Sequence, residues 1–96
     1  MALAARGHWV NIMKIEVLGT GCKTCEMLYL NVLRAVEAAD LGSRANIAKV
    51  ADVDYFLKLL VFATPALVVD GEVLSTGKLL GPEEILDLFR QNGILD

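Results

Sequence analysis

The chain has 96 residues, enough for one layered core and too few for two. Hydrophobic residues make up 55% and charged residues 22%, which excludes the disordered class. Nine Lys and Arg stand against twelve Asp and Glu, and the net charge of -3 argues against a nucleic-acid partner, since phosphate binding needs a basic surface. The longest apolar stretch, Leu59 to Val69, is broken by Thr64 and Pro65 and falls short of the roughly 20 residues of a membrane span.

The first residues read MALAARGHWVNI. They carry Arg6 and His8 and lack both a continuous apolar region and an obvious cleavage site, so they make a poor secretory signal. Regular patterning begins near Met13. The chain therefore divides into an N-terminal extension over 1–12 and a domain over 13–96. The expected location is cytoplasmic, where thiols are kept reduced. His8 and Trp9 are read as a solvated side chain and a cover for an apolar patch.

Lys14 to Leu18 is short, β-branched and roughly alternating, which predicts a strand. Gly19-Thr20-Gly21 breaks it. From Cys22 to about Ala39, Leu28, Val32, Val36 and Ala39 recur at helical spacing and predict one buried stripe. Gly42 offers a left-handed stop. Arg44 to Val50 alternates weakly and reads as a second strand. Asp52 suits the N-cap of a short helix over Val53 to Leu60. Ala66 to Val69 reads as a buried strand, Asp70-Gly71 as a two-residue hairpin turn, and Glu72 to Thr76 as its return. Pro82 with Glu83 and Glu84 opens a last helix with Ile85, Leu86, Leu88 and Phe89 on its apolar face, and Gly93 closes it. Tyr55, Phe56 and Phe62 are expected as core aromatics, Tyr29 as core, and Met27 as packing. The predicted order is β-α-β-α-β-β-α, an α/β chain.

Cys22 and Cys25 are the only cysteines, spaced C-x-x-C between a strand and a helix. At a helix start this spacing puts both sulfurs on one side, within bridging reach. The closed loop is too small to add much stability by restricting the unfolded chain. A reactive dithiol is therefore the more useful reading. Cys22 meets unpaired N–H groups and the helix dipole, which favour a thiolate, and Lys23 adds a positive charge. Cys25 lies a turn further in, beside Glu26, where a second anion is disfavoured. Cys22 is thus expected to attack a disulfide and Cys25 to resolve the mixed disulfide. Thr64-Pro65 opens a strand straight after a helix, and the local residues leave a cis or a trans bond open.

Leu18-Gly19-Thr20-Gly21-Cys22-Lys23-Thr24-Cys25, Thr64-Pro65-Ala66-Leu67-Val68-Val69-Asp70-Gly71, Gly77 and Pro82-Glu83-Glu84 together resemble the thioredoxin fold, and within it the small redox-active disulfide proteins. The resemblance implies a four-stranded mixed sheet with helices on both faces and a cis Thr64-Pro65 bond beside Cys22. It implies a thiol-disulfide oxidoreductase whose partners are disulfide- or thiol-bearing protein clients and an upstream reductase, with no cofactor. Gly21, Thr64 and Pro65 would meet the client, the Thr64 backbone pairing with an extended peptide. Cys22 and Cys25 would be catalytic, with Lys23 and Thr24 between them as modulators. No tryptophan precedes Cys22, and Lys23-Thr24 stand where typical thioredoxins have Gly-Pro. Glu16, six positions before Cys22, stands where thioredoxins keep a buried acid. It either takes the Cys25 proton or points to solvent. The competing function is a soft-metal carrier, two thiolates suiting Cu(I) or arsenite. Gly21-Cys22-Lys23-Thr24-Cys25 after a strand resembles the metal-binding loop of copper-chaperone domains, a resemblance that implies a final strand, whereas this chain is expected to finish on a helix.

Overall fold

The computed structural model describes residues 12–94. His8, Trp9 and all of the extension except Ile12 lie outside the described residues. The elements are β1 (Met13–Leu18), α1 (Lys23–Ala38), a 3-10 turn (Gly42–Arg44), β2 (Ala45–Val50), α2 (Val53–Lys58), β3 (Ala66–Val69), β4 (Glu72–Thr76) and α3 (Pro82–Gln91). The sheet order is β2-β1-β3-β4. Strand β1 runs parallel to β2 and antiparallel to β3, and β3 and β4 form the antiparallel hairpin. This is the predicted four-stranded mixed sheet. The hairpin turn has Asp70 at φ 51 and Gly71 at φ 83, the positive values such a turn requires.

Two cores lie on opposite faces of the sheet because side chains alternate along each strand. On one face Ile15, Val17, Leu67 and Val69 pack under the α1 stripe of Leu28, Val32, Ala35 and Val36 and under Ile85 and Phe89 of α3. On the other, Leu18, Ala66 and Val68 meet Phe56 of α2 and Val61. Each fully buried Leu, Ile, Val or Phe contributes about 1.5–3 kcal/mol relative to exposure. The first face therefore carries most of the stabilisation.

The three α-helices among the described residues end in the same way. After α1, Asp40 takes φ 56 while Leu41 N–H donates to Val36 O (2.9 Å) and Asp40 N–H to Glu37 O (3.1 Å). After α2, Leu60 takes φ 60 with bonds from Val61 to Phe56 O and from Leu60 to Leu57 O. After α3, Gly93 takes φ 72 and Ile94 donates to Phe89 O. These are Schellman closures. The stop expected at Gly42 falls instead at Asp40, a short polar residue that tolerates the left-handed conformation. Buried Leu41 anchors that closure in the core. Leu60 has no such tolerance, and its conformation costs about 1–2 kcal/mol.

Two packing expectations are corrected. Phe62 is 80% exposed, because the closure at Leu60 turns Val61 inward and leaves the next side chain outside. Met27 is also exposed, since it lies off the Leu28 stripe. Tyr55 and Tyr29 are half-buried beside the two cores.

Candidate active site

The last β1–β3 pair is Leu18 with Ala66. Because these strands run antiparallel, Gly19 to Cys22 and Thr64-Pro65 leave the sheet at the same end. The Thr64-Pro65 peptide is cis. Thr64 is exposed and Pro65 buried. Gly21, at φ 88, turns the chain so that Cys22 becomes the N-cap of α1.

Cys22 and Cys25 are joined as a disulfide, with Cα atoms 5.2 Å apart. Their surroundings differ sharply. Cys22 is exposed, while Cys25 is only 3% exposed. The Cys22 Sγ accepts the Cys25 N–H at 3.3 Å and lies 3.3 Å from Thr24 Oγ1. The Cys22 carbonyl accepts from Glu26 N–H at 3.1 Å. A sulfur at this place meets the orphan donors of the first helical turn, which stabilise a thiolate once the disulfide is reduced. Lys23 is exposed beside it.

Glu16 is 4% exposed, which settles its direction away from solvent. It sits on the α2 face with Leu18, not on the α1 face that carries Cys25. Its Oε1 accepts the Tyr55 hydroxyl at 2.6 Å, and Lys14 Nζ stands 3.8 Å from Oε2. The bond to Glu16 raises the Tyr55 pKa above the ordinary tyrosine value, with burial and the carboxylate charge adding to the effect. The carboxylate thus holds a phenol.

Three participants escape sequence reasoning. Lys49 Nζ bonds both Glu26 carboxylate oxygens, at 3.0 and 3.1 Å, and lies 5.0 Å from the Tyr29 ring centroid. The Glu26 charge invoked beside Cys25 is therefore met by a cation from the neighbouring strand. Tyr55 is the second, and no local pattern links it to Glu16. The third is Gly19, whose missing side chain leaves room for Cys25. The break Gly19-Thr20-Gly21 is visible in the sequence, but the reason for its first glycine is not. Among the described residues, no group of three or more His, Cys, Asp or Glu is placed to hold a metal ion.

A mixed sheet in a β-α-β-α-β-β-α order, with a C-x-x-C pair bridging at the mouth of α1, defines a thiol-disulfide oxidoreductase of thioredoxin-like fold. A family profile described as a thioredoxin domain matches residues 13–90, and the chain belongs to that family. It is 40% identical over 74 residues to a thioredoxin of Methanothermobacter thermautotrophicus, covering 77% of this chain and 94% of that protein. To a thioredoxin of Methanocaldococcus jannaschii it is 42% identical over 71 residues, covering 74% and 79%. A solved structure described as that of a malarial protein shares the fold at a TM-score of 0.66 and 15% identity, covering 84% of this chain and 97% of that one. The metal-carrier alternative expects a final strand, and the last element among the described residues is the helix α3.

Proposed function

We infer that this protein exchanges disulfides with protein clients, Cys22 attacking and Cys25 resolving. The observation that carries this reading is the contrast between an exposed Cys22 at the N-cap and a Cys25 that is 3% exposed. Only the first sulfur is open to a visiting protein. In the reduced form, the Cys22 thiolate attacks one sulfur of a client cystine, a mixed disulfide forms, and one client thiolate leaves. Cys25 then gives up its proton and attacks the Cys22 Sγ. The Cys22–Cys25 bond forms, the second client thiolate leaves, and two electrons have passed to the client. An upstream reductase returns them. The two sulfurs carry both electrons, so the exchange requires no cofactor.

Gly21, Thr64 and Pro65 form the client's seat in this reading. The exposed Thr64 backbone adds a short strand to the client, and the open backbone at Gly21 lets it approach Cys22. Leu60, 74% exposed, and Phe62 lie on the connection leading to Thr64 and supply apolar area for the client. Lys23 and Thr24 hold the Cys22 thiolate by charge and hydrogen bond. Glu16 anchors α2 through Tyr55. Among the described residues no helix is long and apolar enough to cross a membrane. The reading places the exchange in the cytoplasm, where thiols are kept reduced.

A Cys25→Ala variant tests the assignment. Incubated with a disulfide-bearing protein, it should accumulate a mixed disulfide through Cys22 that added dithiol releases. A stable adduct on Cys25 in the matching Cys22→Ala variant, with none on Cys22, would reverse the two roles.

A further inference from the structure

Two of the three residues just before Cys22 are glycines, and they are glycines for different reasons. Gly21 has φ 88, and a Cβ added there would meet nothing within 4 Å. Its backbone demands glycine. Gly19 is the reverse case. It is buried and is not among the glycines at positive φ, so its conformation is open to other residues. Its N–H donates to Val50 O at 2.9 Å, continuing the β1–β2 ladder one residue past Leu18.

The alternation of β1 then fixes where a side chain at 19 would point. Met13, Ile15 and Val17 face the α1 side of the sheet, and position 19 continues that column. At 13, 15 and 17 the column is filled by side chains. At 19 the space is taken by Cys25, reaching down from the first turn of α1. A Cβ at Gly19 would come within 2.7 Å of Cys25 Cβ and would overlap its Sγ. Gly19, Gly21, Cys25, Lys49 and Val50 also border a cavity of about 200 Å³.

We propose that Gly19 is a positioning residue for the resolving step, its missing side chain forming the seat that keeps Cys25 Sγ within bonding reach of Cys22. The inference rests on Cys25 being the resolving thiol. In that step the Cys25 thiolate must attack Cys22 Sγ as the client thiolate leaves, and a sulfur pushed off the seat loses its approach. A Cβ at 19 weighs more on the disulfide than on the dithiol. The bridge pins Sγ as well as Cβ, whereas in the dithiol Sγ can turn into the neighbouring cavity and only the Cβ contact remains.

Gly19→Ala is the test. Equilibrated against reduced and oxidised glutathione, it should shift roughly tenfold toward the dithiol relative to the parent protein. Its mixed disulfide at Cys22 should live roughly tenfold longer, while Cys22 alkylates within about twofold of the parent rate. An unchanged equilibrium constant and unchanged resolution rate overturn the proposal, whatever happens to thermal stability. If Gly19→Ala folds poorly, a double-mutant cycle with Cys25→Gly, measured in the reduced state, decides the point. Removing the Cys25 side chain should erase most of the Gly19→Ala penalty. A penalty of the same size in both backgrounds sinks the seat. The Cys25→Ala trapping experiment reports separately on whether Cys25 resolves, so the two failures are distinguishable.

Discussion

The two faces of the sheet are built to different standards. Under α1 and α3 the packing is apolar and continuous, with Ile15, Leu28, Val32, Leu67, Ile85 and Phe89 fully buried. Under α2 the core is a handful of residues around Phe56, and it admits a buried carboxylate held by Tyr55. Helix α2 has six residues and one buried side chain, and Val53 and Leu57 remain half exposed. The reacting sulfurs are rooted in the thick face, where a bridge between two side chains has to be held in register. The segment that leads to Thr64-Pro65 hangs from the thin face, where opening is less costly.

Truncation on the thick face is the strongest way to expose this contrast. Phe89→Ala should cost about 3–5 kcal/mol, read as a fall in the denaturant midpoint. A loss no larger than that of Phe56→Ala would erase the distinction between the faces.

The polar pair on the thin face should give an intermediate effect. Tyr55→Phe leaves the Glu16 carboxylate short of a donor and should cost about 1–3 kcal/mol at neutral pH. Folding raises the Tyr55 pKa, so folding favours the neutral phenol. Its contribution is whole below the unfolded value of about 10 and is lost as pH rises through the higher folded value. Denaturation curves between neutral and strongly alkaline pH should therefore fall less steeply for Tyr55→Phe than for the parent. Equal slopes would show that the phenol is not coupled to folding. Glu16→Gln should lower stability without moving the pH profile of the resolving step. A moved profile would tie this carboxylate to Cys25 across the sheet.

The smallest stability change belongs to the exposed connection. Phe62→Ser should lie within about 0.5 kcal/mol of the parent. It should nevertheless lower kcat/KM several-fold for protein disulfides and leave small-molecule disulfides unaffected. Equal loss on both substrates would remove Phe62 from the client surface.

The order of elements is legible because each signal is local. The β-branched run in β1, the Leu28-Val32-Val36 stripe, Asp70-Gly71 and Gly81-Pro82 each encode their own short-range geometry. The C-x-x-C pair is legible for the same reason, since a helix start brings residues three apart together. The misplaced stop at Gly42 and the misjudged Phe62 share one cause. Both depend on which residue of a Schellman closure finds the core, and that is settled by Leu41 and Val61 once the sheet exists.

The sequence alone determined the dithiol, its place at a helix mouth and the alternating α/β order, because hydrogen bonding and side-chain periodicity act over a few residues. Tertiary structure decided which carboxylate faces which partner, that Lys49 meets Glu26, and that Gly19 is empty on behalf of Cys25. Those contacts join strands and helices distant along the chain, and only the packed sheet brings them within ångströms of one another.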